Sequence, residues 1–363
     1  MPKLSAAEIK MKINSLKLTN YRNHLDLKLE LGKNSIQIIG ENGVGKTNVL
    51  ESIYFLSTGK SPRSKYDSDL INYDKNFCTV DSKVLCGDQD FNLEFQIIKS
   101  GDDHRSSKKA KVNKVPKTIN YFCGIFNSVL FLPEDIQLIT GPPSDRRRYM
   151  DSVLTQVSQG YKKNLSSYTK AVKQRNKILE KINKEGRGWD EIDYWTEQVF
   201  KFGNILQDKR TLLFENLENL IQKNAKKLNN NKTTANIIYK KNELTRERLE
   251  KYREKEILAK STLLGPHRDG FEIIFNEHPV AEFGSRGEQR SVVLALKLSE
   301  IEYIEKEKGE KPVLLLDDIF SELDEKHKEA VSEIIKLQQT ILTSTKEQLP
   351  VEGSEIIKLP SKR

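Results

Sequence analysis

The spacing of hydrophobic positions in the first part of the chain is typical of a mixed α/β domain. Residues 12–40 alternate partly between apolar and polar side chains and end in the short apolar run SIQIIG, so we expect strands there. Residues 46–57 carry apolar side chains at helical spacing and predict a helix. Residues 77–98 alternate again, most clearly in FNLEFQII, and predict two further strands.

From about residue 147 the pattern becomes helical. Long stretches rich in Lys, Gln, Asn, Glu and Leu predict two long helices, interrupted only at KEGRG (184–188). A break this short favours antiparallel packing of the two helices. TTANIIYK (233–240) predicts a strand, and a further helix is predicted over 243–259.

The last hundred residues return to a mixed pattern, with strand-like FEIIF, PVLLL and TILTST and helices predicted over 288–306 and 324–338. The order of mixed, helical and mixed segments predicts one α/β domain made from both chain ends, with an inserted, mostly helical lobe. The predicted bounds are 1–146 and 260–363 for the two parts of the α/β domain and 147–259 for the lobe.

A phosphate-binding motif lies between the third predicted strand and the first predicted helix. GENGVGKT (40–47) fits the P-loop pattern G-x-x-x-x-G-K-[ST] without a gap. Its glycines let backbone N–H groups face phosphates at a helix N-terminus, Lys46 reaches the β- and γ-phosphates, and Thr47 offers a hydroxyl to Mg²⁺. The sequence therefore predicts an ATP site. Its candidate residues are Gly40, Glu41, Asn42, Gly43, Val44, Gly45, Lys46, Thr47 and Asn48.

A P-loop needs a carboxylate near the metal at the tip of a neighbouring strand, and PVLLLDD (312–318) supplies one. Four apolar residues suit a strand buried on both faces, and Asp317 follows at its carboxyl end, where ligands bind in open α/β sheets. We expect Asp317 to hold Mg²⁺ and Asp318 to polarise the attacking water. The alternative is that both aspartates only end the strand. Lys46 and Asp317 lie 271 positions apart, so the helical lobe must be inserted between these two motifs.

The distribution of charge favours a nucleic-acid partner. The net charge of the chain is +9, and residues 145–260 carry 27 Lys or Arg against 16 Asp or Glu. HRSSKKAKVNKVPK (104–117) adds six basic residues and no acidic one. Basic clusters attract phosphate backbones by releasing counterions. A solvated surface remains the alternative for either cluster.

Other features of the composition point to a cytoplasmic protein without a membrane partner. The chain has no run of about 18 apolar residues, and its N-terminus lacks the apolar core of a signal peptide. Its three cysteines, Cys78, Cys86 and Cys123, show neither CxxC spacing nor neighbouring histidine clusters. We expect them to be buried, reduced thiols.

A set of motifs in one order resembles the RecF family of bacterial recombinational repair ATPases, whose heads are similar to those of ABC transporters, Rad50 and SMC proteins. The resemblance covers nearly the whole chain beyond its first ten or so residues. The motifs that carry it are YRNH (21–24), GENGVGKTN (40–48), PEDIQLITGPPSDRRRYMD (133–151), QRN (174–176), GPHRDG (265–270), GSRGEQR (284–290), LLLDDIFSELD (314–324) and TILTST (340–345). The resemblance implies an ABC-type P-loop ATPase head.

The resemblance also implies a site completed by a second copy of the chain. GSRGEQR matches the family's signature motif, so Ser285, Gly287 and Gln289 are expected to face the ATP of the other protomer. SELD (321–324) matches the loop that runs along the dimer interface. Thr343 or Ser344 stands where many ABC ATPases carry a switch histidine, which this chain lacks. From the residues alone, Ser285 and Glu288 form a capping box at a helix start.

Four further assignments stay open between function and structure. Gln137 is either a residue of the loop that senses nucleotide or part of a link to the helical lobe. The resemblance implies that Tyr21 and Arg22 stack on adenine. His267 and Arg268 contact DNA, close the dimer or serve structure. The arginine triplet 146–148 is alternatively a solvated helix start.

The motifs together predict an ATP-dependent DNA-binding clamp and a weak, DNA-stimulated ATPase. The resemblance implies a homodimer formed on ATP, binding to gapped, single- and double-stranded DNA, partnership with RecR, and an indirect role with RecO- and RecA-like partners in loading RecA. Two alternatives remain. A P-loop repair nuclease would need a further acidic metal cluster, and a transporter ATPase subunit would need a membrane partner.

Overall fold

The computed structural model describes residues 11–101, 104–229, 233–321, 323–347 and 354–360. The chain divides into two compact units, one made of Met1–Asp135 with Lys297–Arg363 and the other of Ile136–Leu296. The lobe expected over 147–259 falls inside the second unit, whose bounds are wider on both sides. The segment between strand FEIIF and the middle of the signature helix therefore belongs with the lobe.

The first unit begins with strands and one buried helix and returns to strands at the carboxyl end of the chain. Its elements are β1 (Met11–Tyr21), β2 (His24–Glu30), β3 (Ser35–Ile39), α1 (Lys46–Thr58), β4 (Phe77–Cys86), β5 (Gln89–Lys99), β6 (Ser106–Val112), β7 (Val115–Lys117), α2 (Ile119–Phe122) and β8 (Ser128–Phe131). Short 3-10 helices lie at Asp67–Leu70 and Pro133–Ile136.

The second unit is mostly helical and carries a small sheet. Its elements are α3 (Gln137–Thr140), α4 (Pro143–Val157), α5 (Tyr161–Glu185), α6 (Trp189–Leu228), β9 (Ala235–Lys240), α7 (Arg246–Ala259), β10 (Gly270–Phe275), β11 (His278–Pro279) and α8 (Val280–Phe283). A 3-10 turn, Pro266–Arg268, precedes β10, and β10 pairs antiparallel with both β9 and β11. Helix α9 (Arg286–Lys308) starts in this unit and ends in the first.

The remaining elements complete the first unit. They are β12 (Val313–Asp317), a 3-10 turn Ile319–Ser321, α10 (Glu325–Ile335), β13 (Thr340–Ser344) and β14 (Glu355–Lys358). The strands form a parallel sheet in the order β14-β3-β13-β12-β8 and an antiparallel sheet in the order β2-β1-β4-β5-β6-β7. Strands β3, β12 and β13 are buried almost throughout, as expected for parallel strands covered on both faces.

Helix α1 joins the two sheets of the first unit into one hydrophobic core. Leu50 and Phe55 are fully buried, and Phe55 lies 4.9 Å from Phe95 of β5, measured between ring centroids. The same core takes in Leu315 of β12 and Ile341 of β13. Each such side chain contributes about 1.5–3 kcal/mol when removed from water. The core therefore fixes the start of α1 against the ends of the parallel strands.

One local prediction needs revision. The first long helix is in fact two helices, because α4 ends at Val157 and α5 begins at Tyr161, after Gly160 with its left-handed φ of 80°. The sequence signal was a single glycine in a polar stretch. The basic segment 104–117 contains a hairpin of β6 and β7, turned by Asn113 and Lys114 with φ of 51° and 67°.

Candidate nucleotide-binding site

The P-loop connects the end of β3 to the start of α1. Gly45 has a φ of 105°, and a Cβ there would lie 2.4 Å from Nε2 of His24, so only glycine fits. Lys46 is mostly buried, and its Nζ donates to the carbonyl oxygens of Gly40 and Glu41 at 2.7 and 2.9 Å. The lysine therefore lies curled over its own loop, at a helix N-terminus suited to an anion.

The Asp317 carboxylate lies beside the P-loop threonine. Thr47 Oγ1 donates to Asp317 Oδ2 at 2.7 Å, although the two residues are 270 positions apart. Asp317 is 7% exposed and ends β12. A hydroxyl and a carboxylate are the hard oxygen donors that Mg²⁺ prefers, so the donor set fits this ion.

Strand β13 lies between the strand that precedes the P-loop and the strand that ends in Asp317. Thr343 of β13 is in register with Ile38 on one side and Asp317 on the other. Its hydroxyl donates to Asp317 Oδ1 at 2.6 Å. We expected Asp317 at the end of the strand next to β3, but β13 lies between β3 and β12. Both carboxylate oxygens of Asp317 accept hydrogen bonds from threonines, which fixes the orientation of the carboxylate.

Asp318 follows Asp317 with a reversed backbone. Its φ is 48°, a left-handed value that costs energy for a residue with a Cβ. Its amide N–H donates to the carbonyl oxygen and to the hydroxyl of Thr343, both at 3.2 Å. The reversal gives Asp318 a direction different from that of Asp317 and leaves it partly exposed. This strain is consistent with a functional position.

The YRNH motif supports the P-loop from the turn between β1 and β2. His24 Nε2 donates to the carbonyl oxygen of Gly45 at 3.1 Å, and Asn23 Nδ2 donates to that of Gly43 at 3.3 Å. Asn48 on the first turn of α1 donates to Asn23 Oδ1 at 2.8 Å. Asn23 and His24 thus contact the P-loop directly, and the sequence analysis assigned neither of them a role.

The signature motif GSRGEQR forms the start of α9. Ser285 Oγ accepts from the amide of Glu288 at 3.3 Å, and Glu288 Oε2 accepts from the amide and the hydroxyl of Ser285 at 2.8 Å each. The predicted capping box is therefore present. Gln289 donates to the carbonyl oxygens of Val280 and Gly284 and closes the loop. Ser285 and Gly287 are exposed at this helix N-terminus.

Comparison with known proteins decides the family. The family model described as RecF/RecN/SMC N terminal domain matches residues 12–363. The chain is 38% identical over 344 residues to the DNA replication and repair protein RecF of Clostridium botulinum (strain Okra / Type B1), covering 92% of this chain and 93% of that protein. This chain belongs to the RecF family. RecF of Lachnoclostridium phytofermentans is 34% identical over 339 residues, with the same two coverages.

Solved structures agree with this placement in the RecF family. The structure of the recombination mediator protein RecF with ATP, from the RecFOR pathway, matches with a TM-score of 0.87 at 33% identity, covering 99% of this chain and 98% of that one. An Smc head bound to the C-winged helix domain of ScpA matches with a TM-score of 0.52 at 18% identity, covering 96% and 94%. The predicted ABC-type P-loop ATPase head with an inserted helical lobe is confirmed.

One residue of the YRNH motif is not where the resemblance to RecF placed it. Tyr21 is fully buried and cannot stack on a bound base. Arg22 donates from Nε and Nη2 to the two carboxylate oxygens of Glu51 on α1, at 3.0 and 2.8 Å. Burial by itself would lower the pKa of Arg22, but the hydrogen bonds and charge of Glu51 raise it above its ordinary value. Arg22 thus ties the turn to α1.

The arginine triplet of the RecF-like motif is not simply a solvated helix start. Arg146 donates to the carbonyl oxygens of Leu138, Ile139 and Gly141 and so caps α3. Arg148 lies 3.8 Å from Asp145 at the surface. Gln137 begins α3, and its carbonyl oxygen accepts from the amide of Gly141 at 2.8 Å. Its role as a nucleotide sensor stays a prediction.

GPHRDG contains a structural centre that sequence reasoning missed. Asp269 is fully buried and accepts from Gln207, from Arg210 and from the amide of Asn242, at 2.8–3.0 Å, and also from Tyr239. Gly270 follows this aspartate and begins β10. No local signal marked Arg210, because its partners come from other helices and from a turn about 59 residues away.

The remaining candidates have mixed outcomes. Cys78 is buried, Cys86 and Cys123 are half-buried, and all three are free thiols. Of SELD, Glu322 lies outside the described residues, while Asp324 caps α10 by accepting from the amide of His327 at 2.9 Å. Ser344 Oγ accepts from Gln37 at 2.7 Å. Within the described residues no helix is long and apolar enough to span a membrane.

Proposed function

We propose that this chain is an ATP-dependent DNA-binding clamp of recombinational repair with slow, DNA-stimulated ATPase activity. The observation that carries the proposal is the hydrogen bond between Thr47 and Asp317, which brings the P-loop and the strand-end carboxylate into one site. A RecF structure with ATP, 33% identical to this chain, supports ATP as the nucleotide. The phosphates would lie over residues 40–48, at the N-terminus of α1.

Residues of the first unit would then bind the phosphates, the metal ion and the attacking water. Lys46 would leave the carbonyl oxygens of its own loop and bond the β- and γ-phosphates, and Thr47 and Asp317 would hold Mg²⁺. That ion, when bound, would neutralise charge that develops on the phosphates. Asp318 would orient and polarise the attacking water. Thr343 would keep the Asp317 carboxylate in place throughout.

A second copy would complete the site. Ser285 and Gly287 lie exposed at the N-terminus of a long helix, which suits an anion that this chain does not itself supply there. In this proposal they face the γ-phosphate of the partner's ATP, with Gln289 holding their loop. ATP then favours the dimer because it binds the paired state more tightly than the single chain.

DNA would contact exposed basic side chains, and the hairpin of β6 and β7 is one candidate surface. Lys109, Lys114 and Lys117 of this hairpin are exposed. Lys108 is not available, since its Nζ donates to Gly59 O at 2.6 Å and lies 2.8 Å from Asp67. Only part of the cluster 104–117 therefore fits a phosphate backbone. We further propose that gapped DNA is the preferred form and that a RecR-type partner uses the clamp to help load RecA.

The test measures binding of the protein to gapped, single-stranded and double-stranded DNA oligonucleotides, with and without ATP, at two salt concentrations. Lys46→Ala should remove the effect of ATP and leave ATP-independent binding unchanged. Lys60→Ala, which changes an exposed lysine just after α1, is the matched control and should behave as wild type. If ATP changes neither DNA binding nor association of the wild-type protein, the clamp proposal is wrong.

The nuclease alternative makes a different prediction. Among the described residues no group of three or more His, Cys, Asp or Glu side chains is placed to hold a metal ion. A cleavage assay with Mg²⁺ or Mn²⁺ on the same oligonucleotides separates the two functions, because a clamp leaves them intact. ATPase activity that DNA stimulates would count against a transporter subunit.

A further inference from the structure

The second unit contains a cavity that the proposed ATP chemistry does not use. It has a volume of about 190 Å³ and lies among α4, α5, α6 and the turn at Pro266. A water molecule takes about 30 Å³ in the liquid, so the cavity has room for a larger group. Its polar wall consists of Arg147, Asp151, Tyr168, Thr169, Arg210 and His267.

Most of the charge in this wall is already neutralised. Arg210 is 2% exposed and bonds the carboxylates of Asp151 and Asp269 at 2.8 and 2.9 Å. It also donates to the carbonyl oxygen of Pro266 at 2.6 Å. Tyr161 adds its hydroxyl to Asp151 at 2.7 Å. Arg210 is therefore paired with both aspartates. Together the trio of Arg210, Asp151 and Asp269 carries one net negative charge.

His267 contributes no charge to the cavity. Its Nε2 lies 2.9 Å from the carbonyl oxygen of Thr262, which can only accept, so Nε2 carries the proton. Its Nδ1 then accepts from the hydroxyl of Tyr168 at 2.6 Å. Burial lowers the pKa of His267, as do the charges of Arg268 and Arg147, although the hydrogen bond to Thr262 acts against this. The histidine therefore positions Tyr168.

Arg147 also lines the cavity, and unlike Arg210 it has no counterion among the described residues. Its one hydrogen bond within the described residues goes to the carbonyl oxygen of Asp269, at 3.3 Å. No carboxylate of the described residues lies within ion-pair distance of it, and a guanidinium has five N–H donors. Burial, together with the positive charges of Arg210 and Arg268, lowers the pKa of Arg147. Arg268 is exposed. Arg147 and Arg268 outweigh the negative trio, so the site has excess positive charge.

We propose that this cavity is a binding site for a phosphate group, with Arg147 as its bidentate ligand and Arg268 as a second cation at its edge. A planar guanidinium with free donors matches the oxygens of a phosphate. The apolar part of the wall, Leu165, Val172 and Pro266, suits a sugar attached to that phosphate. The phosphate belongs either to the backbone of DNA or to a free phosphate ion. All of these residues lie in the second unit, so the site is independent of the P-loop.

The chain offers matched variants for a test. Arg147→Gln removes the cavity cation, and Arg148→Gln removes the next arginine of the same helix, which pairs with Asp145 at the surface. Thr169→Glu places a carboxylate on an exposed position of α5 that lines the cavity, where it would pair with Arg147. Thr169→Gln is its neutral control. The Thr169 variants keep an exposed helix position polar, so they test the site even if Arg147→Gln does not fold.

Two measurements on the full chain distinguish the sources of phosphate. Fluorescence anisotropy with single- and double-stranded oligonucleotides, without ATP, gives DNA affinity against salt concentration. Arg147→Gln and Thr169→Glu should each weaken DNA binding about tenfold and reduce the slope of log K against log salt by about one. Thermal melts in rising inorganic phosphate, with chloride at equal ionic strength as the reference, test a free ion.

The two measurements together show which phosphate, if any, binds in the cavity. A loss of DNA affinity in both cavity variants, with both controls near wild type, assigns the site to a backbone phosphate. A phosphate-dependent rise in Tm of the wild type that both cavity variants lose, with DNA affinity unchanged, assigns it to a free phosphate. Equal behaviour of Arg147→Gln and Arg148→Gln in both measurements overturns the proposal. Wild-type protein that binds no DNA would refute the clamp function while leaving the melt as a test of the cavity.

Discussion

Thr343 holds both acidic residues at the end of β12. Its hydroxyl donates to Asp317 Oδ1 at 2.6 Å, and its backbone carbonyl oxygen accepts from the amide of Asp318 at 3.2 Å. One threonine on the intervening strand thus sets the orientation of the proposed metal ligand and the reversed backbone of the proposed base. Thr343, one of the two candidates for the position of a switch histidine, therefore has a structural role in this chain.

Thr343→Val should therefore slow ATP hydrolysis while leaving ATP binding largely intact. Valine has the same shape but leaves one Asp317 oxygen without its donor, at a cost of about 1–3 kcal/mol in stability. Loss of a side chain that orients a metal ligand lowers activity by about 10–100-fold. Steady-state ATPase assays and nucleotide-binding titrations measure the two effects. Thr343→Ser keeps the hydroxyl and should stay close to wild type; equal defects in both variants would point to packing instead.

The candidate site could be predicted where its residues are local in sequence. GENGVGKT and LLLDD each place their side chains at the end of a strand, so a pattern with correct flanking elements was enough to predict that the P-loop and Asp317 meet. The part played by Thr343 was not predictable, because it depends on β13 lying between β3 and β12. Strand order is a property of the whole sheet, and no single segment contains it.

The second unit shows a different limit. The hydrophobic pattern predicted its long helices but not the break between Val157 and Tyr161. The residues there are polar, so no change in the apolar pattern marks where one helix ends and the next begins. Asp269 and Arg210 were also not anticipated as a buried pair, since each looks like an ordinary charged residue within its own segment. Their burial becomes visible only when α6 and the turn at Pro266 come together.

Asp318→Asn should produce a protein that binds ATP and DNA but hydrolyses little ATP. An amide of the same size cannot accept a proton from water, and general-base catalysis is worth about 10²–10⁴-fold. Single-turnover hydrolysis with radiolabelled ATP separates this step from product release. Glu325→Gln, which neutralises an exposed carboxylate at the start of α10, is the control. Turnover near the wild-type rate in Asp318→Asn would remove Asp318 from the role of base.

Ser285→Arg should bind ATP yet fail to dimerise on it. The substitution puts a bulky cation at an exposed helix N-terminus that is proposed to face the partner's γ-phosphate. It also removes the N-cap of α9, which by itself costs about 1 kcal/mol. Thr245→Ala removes the N-cap of α7, where Thr245 accepts from the amide of Arg248 at 3.2 Å, and controls for that loss.

Gel filtration with light scattering, with and without a slowly hydrolysed ATP analogue, gives the oligomeric state of both variants. Wild type and Thr245→Ala should shift from monomer to dimer with nucleotide, and Ser285→Arg should remain a monomer. A wild-type protein that stays monomeric with nucleotide would refute the proposed ATP-dependent dimer.

Reversing charge on the β6–β7 hairpin should weaken DNA binding and flatten its dependence on salt. In the triple variant Lys109→Glu, Lys114→Glu and Lys117→Glu, each lost phosphate contact reduces the slope of log K against log salt by about 0.9. A second triple variant changes the exposed Lys241, Lys251 and Lys255 of the second unit to Glu. The two have the same change in net charge. If they weaken binding equally, the hairpin has no special role.

A buried ionic cluster in the first unit gives a prediction about stability and pH. Lys297 is 5% exposed, and its Nζ lies 3.3 Å from Glu300 and 3.7 Å from Asp135. Burial raises the pKa of Asp135 and of Glu300, although Lys297 acts against this rise. The folded state therefore binds their protons more tightly than the unfolded chain does. Such a carboxyl destabilises the fold increasingly as pH rises from about 4 through its folded-state pKa.

Lys297→Met should consequently destabilise the protein by about 3–5 kcal/mol at neutral pH, because buried Glu300 and partly buried Asp135 lose their only cation within the described cluster. Without the lysine their pKa values rise further, so the variant should approach wild-type stability as the pH falls and the carboxyls become neutral. Urea unfolding at pH 5 and pH 8 measures the difference, and adding Glu300→Gln should recover part of the loss at pH 8. Lys311→Met breaks a more exposed pair with Glu305 and should cost less than about 1 kcal/mol at either pH. A Lys297→Met defect that is the same at both pH values would mean that lost packing, not uncompensated charge, is the cause.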